Sequence, residues 1–353
     1  MKKYIKRYCI DAMSGMAQGL FASLLIGTII KTLGQQLFRL GTNPFFKFLF
    51  DAGTFASNAH VVGAAMAVGI GFALKADALV LFTLAAVGAA ANVTGGAGGP
   101  LAVLIIAIVS AEAGNAVSKK TKVDIIVTPA VTILAGTLLT LLTAKYIGIA
   151  ANEVGRFLIW TTKLHPFWMG ILVSAVVGIV LTLPISSAAI CAAFGLTGLA
   201  GGAAVAGCCA QMVGFAVLSF RENKFGGIVS QGLGTSMLQM PNIIKNPKVW
   251  IPPIFASIIT GPIATCIFKL EMNGTAVSSG MGTCGLVGQI GIVTGWFEPS
   301  AVAIEHGASV INPSAFDWLG LALICFVLPG LLSWIFGLFL RKIGWIKEGD
   351  LKL

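Results

Sequence analysis

The sequence predicts an all-α polytopic membrane protein of about ten transmembrane helices, interrupted by re-entrant hairpins. Three observations carry that prediction. Of 353 residues, 57% are hydrophobic and 10% charged, with mean hydropathy +0.93; a soluble domain carries about 25% charged residues. The apolar runs have bilayer length, about 20 residues each. Three further stretches are too polar to face lipid and too apolar for exposed loops, as expected of non-helical chain kept inside a membrane protein.

In chain order, the predicted spans run approximately 13–33, 53–74, 78–93, 100–118, 124–149, 167–185, 199–220, 250–269 and 317–340, with a tenth assembled from 275–297. The first run is longer than a signal-peptide core and lacks a small-residue cleavage site, so it reads as a span. TGGAGG (Thr94–Gly99) separates the third span from the fourth, and SKKTK (Ser118–Lys122) the fourth from the fifth. Between spans, Gln35–Phe50 and Ala150–His165 mix aromatics with isolated charges, the pattern of interfacial amphipathic helices. Trp160, Trp168, Trp250, Trp318 and Trp345 fall near span ends, as in an aromatic belt. The division expected from this layout is a scaffold and oligomerisation half, 1–165, and a substrate-binding half, 166–353.

The net charge of +10 is explained by its placement. Basic residues cluster beside span ends, at Lys2, Lys3, Lys6 and Arg7, at Lys119, Lys120 and Lys122, and at Arg341, Lys342 and Lys347. This is the positive-inside pattern, so the partner is the lipid bilayer and not nucleic acid. Both basic termini are then cytoplasmic, with TGGAGG outside and SKKTK inside.

Soluble enzyme chemistry finds no support. The seven cysteines sit mostly in apolar, small-residue surroundings and read as structural; no CxxC pair or Cys/His spacing suits zinc. GGAGG follows an apolar helix without a Lys-Ser/Thr, so it is not a phosphate loop. No nucleophile triad stands out. The expectation is therefore no catalytic residue, no cofactor and no metal. The sequons at Asn92 and Asn273 have meaning only in a glycosylating lumen. GFAL (Gly71–Leu74) resembles GFAV (Gly214–Val217), but the intervals around them differ, and an internal repeat stays open.

The 44 glycines are concentrated. Those of 198–207 suit close helix packing; those beside glutamine, threonine and proline need another reason. IVSQGLGTSMLQMPN (Ile228–Asn242) reads as a hairpin that enters the membrane, turns at Gly232 and Gly234, and leaves before Pro241. LPISSAAICAAFGLTG (Leu183–Gly198) and GTAVSSGMGTCGLVGQIG (Gly274–Gly291) have the same character. In transporters such broken elements place free amides and helix ends at the substrate. Candidate solute contacts are therefore Ser186, Ser187, Gln211, Gln231, Thr235, Gln239 and Asn242. Ionisable residues within spans are functional candidates: Glu298 in TGWFEP, His306 beside Glu305, and His60 with Asn58 nearby. His60 has the alternative of bonding a neighbouring helix. Glu112 shares a helix face with Asn115 and either pairs with Lys119 or contacts substrate. Glu271 and Lys269 read as a solvated span end.

LPISSAAICAAFGLTGLAGGAAVAGCCAQMVGFAV, QGLGTSMLQMPNIIKNPKVWIPP and GMGTCGLVGQIG resemble the enzyme IIC-like membrane proteins of the bacterial phosphotransferase system. The resemblance is to the stand-alone branch that includes PfoR-type regulators, and it covers the chain from about SNAH (Ser57–His60) to GQIG. It implies a homodimer in the bacterial inner membrane, re-entrant hairpins, and alternating access. A glutamate before proline that contacts sugar hydroxyls is implied at Glu298–Pro299, followed by an Asn-Pro at Asn312–Pro313; His306 is only loosely placed. No phosphorylated IIB segment lies within these residues, so either separate IIA/IIB subunits phosphorylate the substrate or transport proceeds without phosphorylation. The function expected is transport of a small polar solute, a sugar or sugar-like compound. The alternative is a membrane-embedded sensor or regulator that keeps the same fold.

Overall fold

The computed structural model describes residues 4, 6–41 and 43–353; Lys2 and Lys3 of the amino-terminal basic cluster lie outside the described residues. Helices dominate, and among the described residues the single β-type pairing is an isolated bridge, Gly198 with Met272. The chain divides into two units, Met1–Ala151 and Asn152–Leu353.

In the first unit, α1 (Lys6–Phe38) is answered by a bent pair, α2 (Pro44–Ala56) and α3 (Ala59–Ala73), which meet at 55°. The bend lies at Asn58, which leaves helical geometry and caps α3 by accepting the His60 N–H on its side-chain oxygen. Small residues bring α1 and α3 together: Gly15 meets Gly69, and Gly19 meets Ala65, at backbone distance. Spacing of this kind is the means by which apolar helices pack where lipid competes for every other contact. Next come α4 (Ala78–Gly95), α5 (Gly99–Val117) and α6 (Asp124–Leu139, extended by a wider turn over Thr140–Ala144). Gly96, at φ 52° and ψ −121°, reverses the chain between α4 and α5. Gly95 abuts Ala102 and Gly114 abuts Val80, so α4 and α5 run antiparallel.

Polar groups gather where α1 begins and α5 ends. Glu112 pairs with Arg7 at 2.6 Å, which corrects the expected pairing with Lys119. Lys119 instead binds Asp77, and this contact with the Ser118 hydrogen bond holds the exposed Asp77 carboxyl below the usual carboxylate range. The Asp77 N–H donates to Asn115 Oδ1.

The boundary between the units lies within α7 (Lys145–Thr161). In the second unit, α8 (Pro166–Thr182) runs parallel to α10 (Gly198–Leu218), with Ser174 against Gly207 and Thr182 bonded to Gln211. The chain between them, including the short α9 (Ser187–Ala193), must therefore return to the end from which α8 started. After α10 come α11 (Phe220–Gly227) and a hairpin. Its first arm is Ile228–Gly234; after Thr235 it continues as Ser236–Gln239 and α12 (Met240–Lys245). Then α13 (Pro247–Ile267) runs antiparallel to both α8 and α10, with Gly261 on Gly170 and Ser257 near Gly207. A second hairpin descends through Ala276–Ser279, turns through Gly282, Gly285 and Leu286 at positive φ, and returns as α14 (Val287–Phe297). Its arms touch at Ser278 with Gly291 and at Gly274 with Gly295 and Gly291. Finally α15 (Ala315–Lys342) lies parallel to α10, with Gly214 at Ser333 and Gly337 at Leu218. A buried core of Val205, Cys209, Met272, Ile292, Trp296 and Ile324 ties α10, the second hairpin and α15 together.

Six helices are long and apolar enough to span a bilayer, or seven with the bent pair. One of those six, the 40-residue stretch Ala78–Val117, is the antiparallel pair α4 and α5, so 7 + 1 gives eight passes among the described residues. Two of the ten expected spans take other forms, a shorter helix and a hairpin. Segment 167–185 is α8, which turns back toward Gly198, and 275–297 doubles back on itself.

Candidate functional site

A cavity of about 590 Å³ opens in the second unit at the end where α8 and α10 begin. That volume falls within the range of small-molecule sites. Its polar lining comes from four segments: Thr162 after α7, Thr197 before α10, Glu271 and Asn273 after α13, and His306 in the turn before α15. Local backbone explains how they meet. Gly195 and Gly198 both adopt left-handed conformations, at φ 60° and 62°, where a side chain would be strained. Gly198 then exchanges two backbone hydrogen bonds with Met272, each 3.0 Å. The bridge sets Thr197 and Asn273 on the same wall.

The hydrogen bonding is incomplete. Thr197 Oγ1 lies 3.0 Å from His306 Nδ1, and Asn273 Nδ2 donates to Glu271 Oε2 at 2.8 Å. Asn273 is fully buried, yet its Oδ1 has no partner. A buried acceptor without a donor is costly, about 1–3 kcal/mol, and a ligand hydroxyl would relieve it. A carboxylate and an amide oxygen accept only, so this wall suits a solute that presents donors.

Of the residues expected at the site, His306 alone lines this cavity. Ser187 donates to the Gly280 carbonyl at 2.7 Å and pins the second hairpin to α9. Ser186 caps α9. Gln211 Oε1 accepts from Thr182 and from the Trp250 indole, and its amide reaches Ser257. Thr235 caps the helical turn that follows it. Gln239 donates to Gln231 Oε1 and to the Leu351 carbonyl, while Asn242 donates to Gln239 Oε1 and to the Lys352 carbonyl. The amides of the first hairpin thus hold the carboxyl-terminal segment. Glu298 is exposed, and its N–H closes α14 by bonding the Thr294 carbonyl. Its segment runs beside the cavity wall, because Ser300 N–H donates to the Asn273 carbonyl. Asn58 and His60 belong to the first unit, exposed and bonded to each other.

Sequence reasoning does not single out Thr197, takes Asn273 only as a sequon, and reads Glu271 as a solvated span end. The signal available was EMNGT (Glu271–Thr275), a polar run placed directly between an apolar span and a glycine-rich hairpin.

Interrupted helices that meet inside a helical membrane unit, with a polar cavity at one mouth, define the solute-transporter class of architecture. Within that class, the chain belongs to the phosphotransferase system EIIC family, whose model matches residues 10–353. It is accordingly a multi-pass membrane protein of the transporter type. No curated protein and no solved structure matches the chain.

Proposed function

We propose that the second unit binds a small hydroxylated solute, a sugar or sugar-like compound, in the Thr197–His306 cavity and carries it across the bilayer by alternating access. The observation that supports this most directly is the unpartnered, buried Asn273 Oδ1 beside the Glu271 carboxylate. Both are acceptors. A polyol supplies several O–H donors, whereas an anion would meet Glu271 with like charge. The imidazole of His306 and the hydroxyl of Thr197 add groups that can donate or accept.

The orientation in this reading follows charge. One end of the second unit carries Arg221, Lys224, Lys245, Lys248, Arg341, Lys342, Lys347 and Lys352 against Glu222, Glu348 and Asp350. The cavity end carries Lys163 and Lys269 against Glu271, Glu298, Glu305 and Asp317. The positive-inside rule makes the first end cytoplasmic and the cavity outward-facing, in a bacterial inner membrane with cytoplasmic termini. The two hairpins enter the unit from its opposite ends, and the first arm of one, Ile228–Gly234, packs against the turn of the other, Cys284–Leu286. They form the closed floor of the outward state. Separate IIA/IIB subunits would act at the basic face, and a homodimer is part of the reading on the strength of the family.

A thermal-shift screen of the purified protein against sugars, polyols, amino acids and carboxylates tests the proposal. Ligand at a hundredfold excess over its Kd stabilises by about 2.7 kcal/mol. A sugar or polyol hit that Asn273→Leu abolishes, with the unliganded melting temperature kept or raised, is the expected result. Stabilisation only by carboxylates or amino acids, or a hit indifferent to Asn273→Leu, overturns it.

A further inference from the structure

We propose that the groove between the ends of α10 and α15 is a binding site for an anionic phospholipid, its phosphate held by Arg221 and Arg341. The groove is a cavity of about 350 Å³ at the basic end of the second unit, away from the solute cavity. Its walls are Val217, Leu218, Ile228, Trp334 and Leu338, all apolar, and its only charged lining residues are the two arginines.

Three features select the ligand. First, the walls belong to α10 and α15, both of which are long and apolar enough to span the bilayer. A groove cut into such helices faces acyl chains, and a soluble anion would leave its apolar walls unused. Second, the guanidinium groups have capacity to spare. Arg221 is exposed and has no hydrogen bond or ion pair among the described residues. Arg341 uses one terminal nitrogen for both Glu222 Oε1 at 2.6 Å and the Leu218 carbonyl at 3.4 Å. Its other N–H groups remain, since a guanidinium carries five. Two arginines against one Glu222 carboxylate leave the mouth with a single net positive charge, complementary to one phosphodiester. Third, Trp334 is half-exposed at the rim, as tryptophan is at the headgroup level. Basic pockets between helices on the cytoplasmic side favour anionic headgroups in general. Ile228 is the first residue of the first hairpin, so a lipid seated here braces that hairpin against α15.

The test is native mass spectrometry and thermal melting of the detergent-purified full chain, with phosphatidylglycerol, phosphatidylcholine of the same acyl chains, and free glycerol phosphate. Retained phosphatidylglycerol and a raised melting temperature are expected, with neither effect from the other two. Arg221→Gln, at a position without partners to disturb, should weaken phosphatidylglycerol retention by about tenfold or more, the worth of a charged hydrogen bond. Trp334→Ala should weaken it through the acyl contact alone. Equal retention of the two lipids overturns the site in favour of ordinary annular lipid. Stabilisation by free glycerol phosphate overturns it in favour of a soluble anion, and unchanged retention in Arg221→Gln removes the arginine clamp.

Discussion

Gly207 lies where α10 meets α8, and a Cβ built on it would stand 1.9 Å from the Ser174 carbonyl oxygen. No rotamer relieves a clash with backbone, so a single methyl there forces the helices apart. Gly207→Ala should lower stability by about 1–3 kcal/mol, the range for overpacking. A Cβ on Gly226 would have nothing within 4 Å, and Gly226→Ala should be near neutral. Chemical denaturation of both variants separates close approach from a general dislike of alanine; equal effects would refute the packing account. Residues of this kind were legible in the sequence as a class. The glycine and alanine run of 198–207 announced close packing, but a one-dimensional pattern does not say that Ser174 is the neighbour. Asn273 was less legible. Its chemistry depends on an unpaired oxygen, and whether an oxygen is paired is decided by chain brought in from Gly198 and Ser300.

The first hairpin shows the same division at the scale of an element. Its existence followed from amides and glycines set between apolar runs, and the expected turn at Gly234 is followed by Thr235 in extended conformation. The purpose of its amides was not legible, because their partners lie more than a hundred residues away: Gln239 and Asn242 donate to the Leu351 and Lys352 carbonyls. Asn223 and Asn246 add further bonds to the same tail. Gln239→Leu strands Gln231 Oε1 and leaves the Leu351 carbonyl with Asn223 alone, at a cost of about 1–3 kcal/mol for the buried unpaired oxygen. The prediction is faster amide exchange across 346–353 with solute affinity retained. Lost affinity with an undisturbed tail would instead return these amides to the solute. One other element misled the sequence reading for a physical reason. Segment 167–185 is as apolar as a true span, since chain buried among helices obeys the same composition rule as a helix facing lipid, and 275–297 reads both as a span and as a glycine-punctuated hairpin.

Across the whole second unit, α8 and the longer helices α10, α13 and α15 enclose two hairpins that enter from opposite ends and meet beside the second half of α10. Thr283 of one reaches Met212, and Gly232 of the other lies against Ala216. The Asn273 cavity opens at the end where α8 and α10 begin. The polytopic helical class and the enzyme IIC-like family were legible from composition and from three long motifs. The location of the cavity was not, because it is assembled from segments spread between Ile159 and Ala308. The central claim is that this cavity is an outward-facing solute site, and one measurement reaches it most directly. In a background where the exposed Cys9 and Cys266 are replaced by serine, Ala308→Cys places a thiol on the cavity wall. Intact cells are then treated with a membrane-impermeant maleimide, with and without the stabilising sugar. Labelling from outside, slowed by that sugar, is the predicted result. Labelling only from the cytoplasmic side, or at a rate that no solute changes, would contradict the account.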